Sequence, residues 1–150
     1  MLYEKSTILL VDNNPSSELL LQEVMNGSSI AQPIQSVRNG EEAIHYLEGK
    51  GRFHDREVYP FPRVLILDLK MPKISGFELL KWVRSHANWR RLPVIIFTCS
   101  QDRRDMTKAY DLGANSYLLK PSKWDDLVAT LRTIQTYWTL FSEKPECQAA

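Results

Sequence analysis

A chain of 150 residues with 43% hydrophobic and 25% charged positions has the make-up of one globular domain with a real core. Its net charge of +1 gives no global electrostatic attraction to nucleic acid or to an anionic membrane. The start, "MLYEKSTILLVD", lacks the apolar stretch of a signal peptide, and no run approaches membrane-spanning length. Cys99 and Cys147 fit no metal or redox spacing, so the expected setting is the reducing cytoplasm.

The first apolar run, "TILLV" (7–11), is short, aliphatic and ends at the turn residues "DNNP", which predicts a buried strand. Asn14 and Pro15 read as a helix cap and first helical residue, followed by Leu20, Leu21, Val24 and Met25 on one face. "AQPIQSV" (31–37) is a weaker strand, and Pro33 within it predicts an edge position. A helix carrying Ala43, Ile44 and Leu47 follows. Next come the strand "RVLILDL" (63–69) and a helix with Phe77, Leu80 and Val83 inward. The strand "PVIIF" (93–97) leads to a helix with Met106, Ala109 and Tyr110, and "SYLLK" (116–120) to one with Trp124, Leu127, Val128, Leu131 and Trp138. Strands apolar throughout and alternating with helices predict an α/β fold: a five-stranded parallel sheet covered on both faces, with any site at the carboxyl ends of the strands.

Those strand tips carry a consistent chemistry. Asp12 and Asn13 end the first strand, Asp68 the third, Thr98 the fourth and Lys120 the fifth. Each alone reads as a cap, a β-branched residue or a turn; together on one rim they suit phosphoryl transfer to a carboxylate. An aspartate can serve as the nucleophile, and the charge on the transferring group must be met by Mg²⁺ and a cation. Mg²⁺ takes hard oxygen ligands, which Asp12, Asp68 and the Asn13 amide oxygen can offer. Lys120 and Thr98 can hold phosphoryl oxygens.

Through "LLVDNNP", "LILDLKMPKISGFELL", "PVIIFTCS" and "GANSYLLKP", the sequence resembles a response-regulator receiver domain, the phosphoacceptor half of two-component signalling. The resemblance runs from Ile8 to about Phe141, and the Asp68–Thr98–Lys120 spacing suits it. It implies a flavodoxin-like (βα)5 doubly wound fold with strand order 2-1-3-4-5. The whole chain, 1–150, would be a single stand-alone receiver with a core of about 6–141 and a frayed tail from 142 to 150. It also implies that Asp68 accepts the phosphoryl group, Thr98 is the switch hydroxyl, and Lys120 binds phosphate. Tyr117 would be the switch aromatic that turns inward, and Pro121 a cis proline orienting Lys120. Lys70 would offer its backbone carbonyl to the metal. The implied partners are a sensor histidine kinase or phosphotransfer protein and a downstream protein target, reached through helix four, strand five and helix five. The long connection "YLEGKGRFHDREVYPFPRVLILDLKMP" and the aromatic "LRTIQTYWTLF" resemble receivers paired with phytochrome-type histidine kinases.

Two departures stand out. Receivers usually carry two adjacent acids after the first strand, and here the second place holds Asn13, which removes one negative charge from the metal site. Lys70, two residues after Asp68, puts a long cation where it can contact the phosphoryl group or obstruct water. These departures keep open a second reading, a receiver-like interaction module that works without phosphorylation. A flavin-type binder shares the fold, but "DNNPSS" is no phosphate cradle. His45, His54 and His86 share no ligand spacing and read as solvated or capping, and packing is the expectation for Cys99. Arg90, Arg91, Arg103 and Arg104 read as solvated surface, with no role for nucleic acid or membrane. Tyr137, Trp138 and Phe141 exceed one buried stripe, which suggests a homodimer or partner-docking patch.

Overall fold

A computed structural model describes residues 7–26 and 34–141, with side chains through Thr139. Five strands, β1 (Thr7–Val11), β2 (Ile34–Val37), β3 (Pro62–Leu67), β4 (Val94–Thr98) and β5 (Ser116–Leu119), alternate with five helices. These are α1 (Ser17–Asn26), α2 (Gly40–Glu48), α3 (Gly76–Ser85), α4 (Arg103–Asp111) and α5 (Trp124–Thr136). A 3₁₀ turn, Gly51–Phe53, interrupts the α2–β3 connection, and α5 continues as a π-helical turn over Tyr137–Phe141. The strands are parallel in the order β2-β1-β3-β4-β5.

The period-two geometry of a strand divides each apolar run between two cores. Leu9, Val11, Leu65, Leu67, Val94 and Ile96 face α2 and α3, where Tyr46, Leu47, Leu79, Leu80 and Trp89 complete the layer. Ile8, Leu10, Val64, Ile66, Ile95 and Phe97 face α1 and α5 through Leu20, Leu21, Val24, Val128, Leu131 and Ile134. All five residues of both β1 and β4 are buried, as strands covered on both sides must be. β2 lies at the sheet edge, as Pro33 suggested, although Pro33 itself is outside the described residues. The expected tail, 142–150, and the Phe141 side chain are also outside them.

Helix starts follow capping chemistry. The Asn14 side-chain oxygen accepts from the Ser16 N–H at 2.9 Å ahead of α1. Asn39 accepts from Glu42, Ser75 from Glu78 and Asp102 from Arg104 at the starts of α2, α3 and α4. Two of the helical stripes are narrower than the sequence pattern. In α4, which packs over the β4–β5 edge, only Ala109 is buried, and Met106 and Tyr110 are exposed. Trp124, at the first residue of α5, is likewise exposed. Conversely, Tyr46, absent from the α2 pattern, is fully buried and donates its hydroxyl to the Pro60 carbonyl at 2.9 Å. It packs with Phe53 and Tyr59 at ring separations of 5.0 and 5.9 Å, so the long α2–β3 connection carries its own aromatic core. Arg56 closes this unit by donating to the carbonyls of Tyr46, Leu47 and Tyr59.

Candidate functional site

The parallel ladder runs one residue beyond β1, β3 and β5 and thereby aims the rim side chains. The Asp12 N–H donates to the Val37 carbonyl (3.1 Å), that of Asp68 to Val11 (3.1 Å) and that of Lys120 to Thr98 (2.8 Å). The three residues therefore sit just past the ends of β1, β3 and β5, where the sequence placed a site. There the Lys120 ammonium bridges two carboxylates, with Nζ 2.8 Å from an oxygen of Asp12 and 2.8 Å from one of Asp68. All three side chains are largely shielded from water. Burial pushes the Lys120 ammonium down, but the hydrogen bonds and charges of Asp12 and Asp68 outweigh it and hold its pKa above the ordinary lysine value. The second Asp12 oxygen accepts from the Asn14 N–H at 3.0 Å, and the second Asp68 oxygen faces the Lys70 N–H at 3.5 Å.

The Asp68 backbone is fixed from behind by α3. The Gly76 N–H donates to the Leu69 carbonyl at 2.9 Å. A Cβ at Gly76 would collide with the Asp68 carbonyl oxygen and lie 2.7 Å from the Leu69 Cα, so only glycine lets the helix start come this close. In the same loop Lys73 holds a left-handed φ of 65°, which costs a residue with a side chain about 1–2 kcal/mol. Strain of this kind collects where surrounding structure dictates a loop's path, as it does next to a phosphoacceptor candidate.

Thr98 is buried at the end of β4, and its hydroxyl oxygen accepts from the Ser100 N–H at 3.4 Å. Tyr117 is turned inward: its side chain is buried in the core facing α3, and its hydroxyl donates to the Ser100 carbonyl at 3.0 Å. Burial raises the Tyr117 pKa, and the Asp105, Asp102 and Asp68 charges add to it, against the hydrogen bond to Ser100. Asn13 and Lys70 are both exposed on the rim. Pro121 corrects the sequence expectation: among the described residues no peptide bond is cis, and Lys120–Pro121 is trans. Trans is the ordinary preference of an X-Pro bond, and Lys120 Nζ is held between the two carboxylates. Cys99 is exposed, where packing was expected. His45 and His54 are exposed. His86 caps the end of α3 and stacks on Trp89 with ring centroids 3.6 Å apart. Arg90, Arg91, Arg103 and Arg104 are all exposed.

Three contributors escaped sequence reasoning. Gly76 lies within "KISGFELL", a run that suggests no role for it; a glycine directly after the Ser75 cap, where most residues would serve, is the available signal. Ser100 and Asp105, which join Thr98 and Tyr117 to α4 through a 2.6 Å hydrogen bond, carried none, because a polar pair after a strand reads as an ordinary turn.

Among the described residues no group of three or more His, Cys, Asp or Glu side chains surrounds a metal-sized space. The rim nevertheless fits Mg²⁺ by donor chemistry, because a divalent ion of this kind is held by one or two carboxylates with neutral oxygens and phosphate supplying the rest. Among the described residues no helix is long and apolar enough to cross a membrane.

Comparison with known proteins agrees with this geometry. Residues 8–132 match the response regulator receiver domain family. The chain is 33% identical over 138 residues to the probable methanogenesis regulatory protein FilR2 of Methanothrix harundinacea, covering 92% of this chain and 86% of FilR2. It is 31% identical over 131 residues to response regulator Rcp1 of Synechocystis, covering 87% of each. The crystal structure of the phosphorylated cyanobacterial phytochrome response regulator RcpA superposes with a TM-score of 0.83 at 29% identity, over 93% of this chain and 98% of that one. Rcp1 has also been crystallised with Mn²⁺ bound, a structure similar to this one with a TM-score of 0.81 over 93% and 99% of the two chains. With the fold, the strand order and the family match in agreement, the chain belongs to the response regulator receiver domain family.

Proposed function

We propose that this chain accepts a phosphoryl group on Asp68 from a histidine kinase or phosphotransfer protein and, once phosphorylated, changes its affinity for a downstream protein. The observation that carries the reading is the pair of 2.8 Å contacts from one lysine to two carboxylates at neighbouring strand tips. Such a cluster holds a carboxylate nucleophile, a cation for phosphoryl oxygens and a second carboxylate for a metal in one place. In the transfer a carboxylate oxygen of Asp68 attacks phosphorus and the P–N bond of the donor phosphohistidine breaks. Its electron pair stays on the imidazole nitrogen, which is left as neutral imidazole after proton exchange with solvent.

Asp12, Asp68, the Asn13 amide oxygen and the Lys70 backbone carbonyl are the groups that would hold Mg²⁺. When bound, the ion supplies positive charge against the phosphoryl oxygens. Lys120 supplies the second cation, and its raised pKa keeps it charged throughout the neutral range. Thr98 is the hydroxyl available to a phosphoryl oxygen, and its link to Tyr117 through Ser100 gives the change at Asp68 a route to the α4, β5 and α5 face. The output is a population shift: the aspartyl phosphate favours the conformer in which Thr98 is drawn toward it, with Tyr117 in the inward placement it already holds here. Met106, Tyr110 and Leu119 are exposed apolar side chains on that face, available to a partner or a second copy, with Tyr137 beyond α5.

The exposed amide at Asn13, in place of an acid, favours one alternative: an interaction module that works without phosphorylation. Intact-mass analysis after incubation with acetyl phosphate, with and without Mg²⁺ and beside Asp68→Asn, separates the two. The expected result is a Mg²⁺-dependent phosphoryl adduct that Asp68→Asn abolishes. No adduct at high Mg²⁺, restored by Asn13→Asp, would make the phosphorylation-independent module the better reading.

A further inference from the structure

The turn between β4 and α4 converges on one residue. The Ser100 hydroxyl donates to the Asp105 carboxylate at 2.6 Å and accepts from the Asp102 N–H at 3.3 Å. Its amide donates to the Thr98 hydroxyl oxygen at 3.4 Å, and its carbonyl accepts from the Tyr117 hydroxyl at 3.0 Å. Every polar group of Ser100 therefore has its own neighbour, on β4, β5 and the start of α4. The tightest of these contacts is the one to a charged carboxylate, and hydrogen bonds to an ionised acceptor are the short, strong ones.

We propose that Ser100 and Asp105 form a clasp that positions the Thr98–Tyr117 pair: the Ser100 hydroxyl, held by Asp105, fixes the turn so that the Ser100 carbonyl meets the Tyr117 hydroxyl. The proposal rests on the receiver reading above only in giving Thr98 and Tyr117 their switching role. The Tyr117 backbone is anchored separately, its N–H donating to the Tyr110 hydroxyl oxygen at 3.1 Å. The strand position of Tyr117 thus does not depend on Ser100, whereas the ring's inward placement does. The Ser100 carbonyl is the polar end point for that ring, and its direction is set by the side chain of the same residue. Loss of the Ser100 hydroxyl frees the turn from the first helical turn of α4, where Asp105 sits. The carbonyl then no longer has a fixed direction, and the tyrosine hydroxyl gains more by reaching water. Ser100 and Asp105 are positioning residues: neither is placed against the phosphoryl group, and both act through Thr98 and Tyr117.

The test uses the full chain labelled with 3-fluorotyrosine and kept free of phosphodonor, with the Tyr117 fluorine signal identified by its loss in Tyr117→Phe. Broadening by a soluble gadolinium chelate reports the ring's exposure. In the parent the Tyr117 signal is protected. In Ser100→Ala and in Asp105→Ala it moves toward the exposed position, with the inward-to-outward ratio reduced about tenfold or more, the worth of one hydrogen bond to a charged group. Ser100→Thr, which restores the hydroxyl, returns the parent signal. A Ser100→Ala spectrum that superimposes on the parent overturns the clasp, as does a Ser100→Thr spectrum that matches Ser100→Ala. Should Ser100→Ala fail to fold, Asp105→Ala decides the same question with the serine in place. Phosphoryl loading of the parent from acetyl phosphate and Mg²⁺ is followed in parallel by mass; no adduct would overturn the phosphoacceptor reading alone, while the fluorine spectra decide the clasp.

Discussion

Gly76→Ala is a one-carbon change at a point where α3 presses on the backbone of the candidate phosphoacceptor. The new methyl group would meet the Asp68 carbonyl oxygen, lie 2.7 Å from the Leu69 Cα and 3.0 Å from the Asp68 carbonyl carbon. All three are backbone atoms, so no side-chain rotation relieves the contact; either the start of α3 or the loop after β3 has to move. Overpacking of this kind costs about 1–3 kcal/mol. Displacing the helix start also weakens the 2.9 Å bond from the Gly76 N–H to the Leu69 carbonyl, worth about 1 kcal/mol. The expected loss is therefore about 2–4 kcal/mol, read as a lower urea midpoint at unchanged slope. The phosphorylation rate with acetyl phosphate should fall with it, because the moved backbone carries Asp68. Gly51→Ala is the control: Gly51 has a φ of 60° but nothing within 4 Å of the added carbon, so it pays only the left-handed backbone cost of about 1–2 kcal/mol and should leave phosphorylation unchanged. A Gly76→Ala protein within about 0.5 kcal/mol of the parent, with an unaltered phosphorylation rate, would refute the close-approach argument.

The remaining expectations concern charge. Asn13→Asp restores an acid beside Asp12 and should tighten Mg²⁺ binding by roughly one to three decades, a gain set by the Coulomb energy of one added charge less the dehydration of ion and ligand; equal Mg²⁺ affinities by titration would sink it. Lys70→Asn removes the exposed cation two residues from Asp68 and should shorten the lifetime of the aspartyl phosphate, measured by decay of the mass adduct after donor removal; an unchanged lifetime ends the gating idea. Burial holds the Tyr46 hydroxyl well above the ordinary tyrosine range, with Arg56 opposing it and Tyr59 adding to it. The folded chain thus keeps a proton that the unfolded chain releases near pH 10, and stability falls above that pH by up to about 1.4 kcal/mol per unit until the folded group titrates. Tyr46→Phe should lose about 1 kcal/mol at neutral pH with its bond to Pro60 and show a shallower decline above pH 10; an unaltered slope in pH-dependent urea unfolding would contradict this.

How far the sequence revealed this structure depends on which physical signal each part sends. The central strands were legible because a fully buried parallel strand has to be apolar along its whole length, and "TILLV" coincides with β1 residue for residue. The third run was read through Leu69, whereas β3 ends at Leu67; Asp68 sits just past the strand, still tied to it by its N–H bond to Val11. The rim residues were legible because their chemistry changes abruptly at strand ends, from aliphatic to acid, hydroxyl and cation. α4 was misjudged because a helix over a sheet edge buries a single small residue, and three apolar positions in sequence do not reveal how much sheet lies beneath them. Tyr46 was missed because its partners, Phe53, Tyr59 and Pro60, come from a connection with no periodicity to read. Gly76 matters through a close backbone approach and Ser100 through hydrogen bonds within a turn, and neither leaves a hydrophobic or charge pattern behind.

The charge arithmetic of the rim separates what holds the fold from what the site is for. Two shielded carboxylates on one ammonium leave a net negative charge at the strand tips, and taking three ionised groups out of water costs much of what their attraction returns. Apolar side chains of similar volume at these three places would stabilise the sheet ends at least as well, so the cluster is weak evidence for stability and strong evidence for a chemistry that uses its charges. That residual negative charge is what a divalent cation would meet. Asn13 reduces it by one unit relative to a rim with two adjacent acids, without removing either carboxylate that Lys120 grips. The proposed nucleophile and the lysine that contacts it are therefore intact, and the altered position is expected to bear on the metal. A defect confined to metal affinity is overcome by raising the Mg²⁺ concentration, whereas a defect in the nucleophile or the lysine is not. The Mg²⁺ dependence of adduct formation, compared between the parent and Asn13→Asp, thus distinguishes a receiver with a weakened metal site from one that has given up phosphoryl transfer: convergence of the two rates at saturating Mg²⁺ marks the first, and a parent that stays silent at every concentration marks the second.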